Sequence, residues 1–127
     1  MKASSLSFVM AVAVALVGMA WGLHMAISQD HSTLSAHAHL NLLGWVSLFL
    51  FGVFYRLHPA LDGARIARLQ VLIWLAGTAI LTVGVAMIHS GRPSGEPYAG
   101  VGSIMVFADM LLFGWLVLRE VRAASAA

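Results

Sequence analysis

Apolar residues run along this chain in four long stretches, and polar residues gather in the three short breaks between them. The stretches are Leu6 to Ile27, Leu34 to Tyr55, Ile66 to Ile88 and Tyr98 to Leu118. Each has roughly the twenty residues that a helix needs to cross about 30 Å of hydrocarbon. The breaks, Ser28 to Thr33, Arg56 to Arg65 and His89 to Pro97, are too short to fold as a soluble unit. The pattern predicts an all-α integral membrane protein with four transmembrane helices and a single domain over residues 1–127. Any chemistry then belongs within the helices or at their ends.

Composition agrees. With 61% hydrophobic and 9% charged residues and a mean hydropathy of +0.91, the chain is far too apolar for a small soluble domain. It has no cysteine, which excludes disulfides, thiolate-held iron–sulfur clusters and covalently attached c-type haem. Lys2, Arg56, Arg65, Arg68, Arg119 and Arg122 flank one side of the predicted spans and Arg92 the other, so the positive-inside rule places both termini in the cytoplasm. The expected location is a bacterial-type inner membrane, crossed several times. The sequence pI of about 9.7 comes from these helix-end anchors, so the expected partner is the lipid bilayer and no nucleic acid. Lys2 and the small residues from Gly18 to Gly22 give the first span some likeness to a cleaved signal peptide. Its length exceeds an h-region of about 7 to 15 residues and no A-x-A site follows, so it is read as a retained span.

Against this apolar background the histidines stand out. His37 and His39 open the second span, and in a helix a His-x-His pair turns its rings about 200° apart, toward two different neighbours. Ionisable groups at the edge of hydrocarbon are costly and need partners. Asn41 lies one turn after His37 and is placed to hydrogen-bond a ligand or a neighbouring helix. Gly44 returns to nearly the same face, where a missing side chain leaves room for a flat macrocycle or another helix, and Gly52 extends that strip. His24 and His89, at the ends of the first and third spans, are either satisfied helix-end residues or metal ligands. His31 is expected to be solvated, and His58, before Pro59, to cap a helix end.

Asp109, midway along the fourth span, must pair, line a watery path or stay protonated, which suits a helix contact or proton handling. Asp30, Asp62, Glu96 and Glu120 are placed in loops or beyond the last span. Trp21, Trp45, Trp74 and Trp115 read as interface anchors and packing residues, and Met25, Met87 and Met105 as packing. Ser90 to Pro97 reads as a turn or outer loop, and Ala123 to Ala127 carries no readable function.

The run His37-Ala38-His39, with Leu43-Gly44-Trp45-Val46, Gly52, Tyr55, Leu57 and Pro59, resembles the tenth helix of the catalytic subunit of heme-copper oxidases, especially the cytochrome cbb type and its nitric oxide reductase relatives. The resemblance implies haem b, with His37 on the high-spin haem and His39 on the low-spin one, beside Asn41 and Gly44. It implies that the four helices form one of three arcs, completed as a homotrimer with haem between subunits. The family's copper ligands are not reproduced, although His24 and His89 lie at the same end as the pair and could accompany haem with copper. The function implied is a haem-b membrane cytochrome, in electron transfer or diatomic-gas binding, with a redox partner that the chain does not name. Any catalysis would be that of a heme-copper-oxidase-like oxidoreductase. The alternative is a membrane protein holding copper or zinc through His24, His37, His39 and His89, for delivery or sensing.

Overall fold

The computed structural model describes residues 1–125; Ala126 and Ala127, at the end of the featureless tail, lie outside the described residues. The chain forms four helices long and apolar enough to cross a membrane. They are α1 (Ala3–Ser28), α2 (Leu34–Leu57), α3 (Arg65–His89) and α4 (Glu96–Ser125). Each extends past its apolar run, because a helix satisfies its backbone internally and carries that economy into the headgroup region at no cost. Glu96 therefore opens α4 and Glu120 lies within it, where loop and tail positions were expected. The break after α2 also contains a short helical turn, Pro59–Asp62. A 3-10 turn, Pro93–Gly95, precedes α4.

Successive helices pack side by side, α1 on α2, α2 on α3 and α3 on α4, with α3 in the centre. Over its most apolar window 44% of α3 is buried, against 17% for α1 and for α4. The tightest junction joins α3 to α4. A Cβ on Gly84 would overlap the backbone of Ala99, one on Gly102 would overlap the backbone of Leu81, and one on Gly77 would stand 3.0 Å from Cβ of Met105. Lipid supplies no hydrophobic drive between helices, so close backbone approach at small residues provides the dispersion contact instead.

Two polar ties fix the bundle away from His37 and His39. Buried Asp62 accepts hydrogen bonds from the Ser4 backbone N–H (2.7 Å) and the Ser4 hydroxyl (2.9 Å), so a residue expected merely in a loop caps the start of α1. The second tie crosses three helices: the Tyr55 hydroxyl donates to Oε1 of Gln70 (2.7 Å), and Nε2 of Gln70 donates to Oδ2 of Asp109 (2.6 Å). Asp109 thus makes a buried helix contact. Beside it the Phe113 ring of α4 reaches Phe51 of α2 at 4.3 Å between centroids, and Phe51 meets Trp74 of α3 at 4.9 Å. These rings close the space between α2 and α4 at this end. His58 closes α2 by donating from Nδ1 to the Phe54 carbonyl (2.7 Å).

Candidate functional site at the histidine end

The antiparallel course brings the C-terminal ends of α1 and α3 and the N-terminal ends of α2 and α4 to one end of the bundle, with His24, His37, His39 and His89 among them. They share an end and no common centre. Among the described residues no group of three histidine, aspartate or glutamate side chains is placed to hold a metal. His24 is exposed on α1, and His89 is exposed with Nδ1 bonded to the Val85 carbonyl (2.9 Å). The expected four-histidine copper or zinc set is therefore not assembled, because His24 and His89 are exposed at their helix ends, His37 packs on α1 and His39 faces a cleft on another side. His31 is exposed beside Asp30 in the first break. There the Ser32 backbone N–H donates to Oδ1 of Asp30 (2.9 Å), holding that carboxyl below the ordinary aspartate range, with the His31 and His24 charges adding to the effect.

His37 and His39 do turn to different neighbours. His37 faces α1, where a Cβ on Gly22 would come within 3.2 Å of its Cε1, and the Trp21 ring stands edge-on at 6.4 Å. One turn on, Nδ2 of Asn41 donates to the His37 carbonyl (2.8 Å) and lies across the His37 ring, 3.3 Å from both ring nitrogens. The Asn41 amide occupies the space left by Gly18, where a Cβ would collide with its Oδ1. Gly18 and Gly22, four apart on α1, thus form the notch that receives His37 and Asn41. That Gly-x-x-x-Gly spacing was open to reading in the sequence and went unused. Gly44 is buried under the same helix: a Cβ there would stand 2.5 Å from Cγ1 of Val14. Phe8 covers Gly52 in the same way. The glycine strip offered as clearance for a macrocycle is filled by α1, since a helix can use bare backbone as readily as a flat ring can.

His39 faces a cleft instead. The cleft, about 600 Å³, lies between α2 and α4 over α3, with Ser35, His39, Leu42, Trp74, Ser103 and Phe107 in its walls. His39 donates from Nδ1 to the Ser35 carbonyl (2.8 Å). Just beyond it α2 changes form, and Leu40–Ser47 is π-helical. The wider turns reposition carbonyls along this wall. The Ser47 hydroxyl donates to the Leu42 carbonyl (2.9 Å) and the Trp74 indole N–H to the Leu43 carbonyl (2.9 Å), tying the π segment to α3. Ser103 and this π segment were not singled out by sequence reasoning, which assumed 100° per residue throughout, and Trp74 was read only as an anchor or packing residue.

The remaining break at this end is sharply ordered. Gly91, with φ at 76°, follows α3; its N–H donates to the Ile88 carbonyl (3.0 Å) and the Arg92 N–H to the Met87 carbonyl (2.9 Å). This is a Schellman termination, and the left-handed residue in it favours glycine. Gly91→Ala is expected to destabilise the protein by about 1 kcal/mol, read as a fall of about 4 °C in a thermal melt; an unchanged melt would contradict the termination described.

A sequence model of one family, described as OpgC protein, matches residues 1–123. The chain belongs to the OpgC protein family. No curated protein and no solved structure matches it. Membership over nearly the whole chain overturns the heme-copper oxidase resemblance, which rested on positions 37–59 alone. The haem-b cytochrome reading and its copper or zinc alternative fall with it. The geometry supplies the physical reason: the His37 face that would have met a haem is occupied by α1. Within one chain His37 lies beside Asn41, and Asp109 accepts a hydrogen bond from Gln70.

Proposed function

We propose that this OpgC-family chain acts in the modification of periplasmic glucans at the membrane, transferring an acyl group such as succinyl to a sugar hydroxyl. Its place is the inner membrane with both termini in the cytoplasm, which sets the histidine end toward the glucan. The observation that carries the mechanism is His39, held by the Ser35 carbonyl on the wall of the cleft. A ring nitrogen that faces a carbonyl oxygen carries the proton, so Nε2 keeps the lone pair that a general base needs. The sugar oxygen bonds to the carbonyl carbon of an acyl thioester while its proton passes to Nε2 of His39. The carbon–sulfur bond then breaks, and the departing thiolate takes that proton back. Leu42, Trp74 and Phe107 give the cleft an apolar lining beside His39.

The test is the acyl content of glucans extracted from cells lacking the gene, and from the same cells complemented with wild type or His39→Ala, read by anion exchange and mass spectrometry. Loss of substituents in the deletion, and a failure of His39→Ala to restore them, are expected, since removing a general base slows transfer by about 100-fold or more. Unchanged glucans in the deletion overturn the function, and full complementation by His39→Ala overturns the role of the base.

A further inference from the structure

The cleft of His39 has few polar side chains, and they come from different walls. α2 supplies Ser35 and His39, α3 supplies Trp74, and α4 supplies Ser103 beside Val106, Phe107 and Met110. The Trp74 indole N–H is already committed to the Leu43 carbonyl (2.9 Å). Ser28, Ser47 and Ser125 each donate their hydroxyl to a carbonyl of their own helix, the usual arrangement for a helical serine. Among the described residues the Ser103 hydroxyl has no such partner, and Ser103 is exposed on the cleft wall. It lies about 10 Å along α4, and His39 about 8 Å along α2, from ends that meet at the same side of the bundle. The backbone fixes its place. Gly102 sits against Leu81, where a Cβ would overlap main chain, and Leu81 itself lines the cleft. One side-chain torsion separates the Ser103 hydroxyl from that anchored backbone, so the group is held at this wall.

In the acyl transfer proposed above, the sugar hydroxyl meets Nε2 of His39 on the α2 wall, so the acyl carbonyl that it attacks lies between that wall and α4. As the new carbon–oxygen bond forms, the carbonyl π pair moves onto its oxygen. That charge needs a hydrogen-bond donor. Ser35 stands on the same wall as His39, one turn away, and Val106, Phe107 and Met110 on the facing wall have nothing to donate. We infer that Ser103 is a second catalytic residue of the cleft, its hydroxyl donating a hydrogen bond to the acyl carbonyl oxygen as charge develops there. The Ser103 proton stays on its own oxygen throughout. When the carbonyl re-forms, the pair returns from oxygen, the carbon–sulfur bond breaks, and the thiolate takes the proton held by His39. The inference rests on the reading that this cleft transfers an acyl group.

Steady-state transfer by the full chain in vesicles tests it, with succinyl-coenzyme A as donor and a short soluble β-glucan oligosaccharide as acceptor. Ser103→Ala is expected to lower kcat by about 100-fold, because the bond is made to charge that exists only in the transition state. Both KM values should stay within about twofold of wild type for the same reason. Ser103→Thr, which keeps a hydroxyl, is expected to recover most of the rate, and Ser125→Ala, at the opposite end, to match wild type. An unchanged kcat in Ser103→Ala overturns the inference, as does a loss confined to KM or a threonine variant no faster than the alanine one. An acyl ester found on Ser103 by mass spectrometry also overturns it, since the serine would then be a nucleophile. If His39→Ala loses transfer while Ser103→Ala keeps it, the donor fails and the acyl-transfer reading stands. No transfer by wild type overturns that reading, and the role of Ser103 with it.

Discussion

Gly84→Leu is expected to part α4 from α3 and to lower the melting temperature of the purified protein by about 10 °C, corresponding to about 3 kcal/mol. Even a Cβ at position 84 would overlap the backbone of Ala99, and no rotamer change in a neighbour relieves a clash with main chain. The same holds for Gly102 against Leu81, so the two glycines set one distance of approach from opposite sides. Gly100→Leu is the control, since nothing lies within 4 Å of a Cβ there. It should shift the melt by no more than about 2 °C. A melt of Gly84→Leu equal to that control would show that α4 does not seat on α3 as described.

Gln70→Leu is expected to destabilise the protein by about 2 to 4 kcal/mol, although each hydrogen bond it removes is worth only ~0.6 kcal/mol on average inside a membrane protein. The larger figure comes from what stays behind: the Tyr55 hydroxyl and the Asp109 carboxyl, both buried, lose their common partner where no water replaces it. Oδ1 of Asp109 has no hydrogen-bond partner even in the native arrangement, so the site has little capacity to absorb a further loss. Removing every polar member at once, as Tyr55→Phe, Gln70→Leu and Asp109→Leu together, should recover most of the stability. Denaturation of the single and triple variants in mixed micelles decides the matter; a triple variant less stable than Gln70→Leu alone would mean that the relay contributes net binding between the helices.

How much was legible varied by kind of feature. Four spans and their order could be read from apolar runs, because hydrocarbon demands about twenty apolar residues and a closed backbone ladder whatever the neighbours are. The opposite facing of His37 and His39 also followed from helix geometry alone. Gln70 and Asp62 show where that ended: one sits in an apolar run and the other in a short break, and nothing local says that they bond Asp109 and Ser4. The heme-copper oxidase resemblance failed for a related reason. A short motif records which residues stand on a face and is silent about what covers that face.

From its sequence alone this chain is a bundle of four apolar helices with five of its six histidines gathered at one end, because segment length, hydropathy and chain direction are properties of each segment and of their order. Tertiary structure decided which helix lies in the centre, that α1 fills the glycine strip of α2, and that His39 opens onto a cleft while His37 is packed against Gly22. Those outcomes turn on contacts between backbones and on widened turns such as Leu40–Ser47, which depend on the neighbouring helix and leave no periodic trace in the residues themselves.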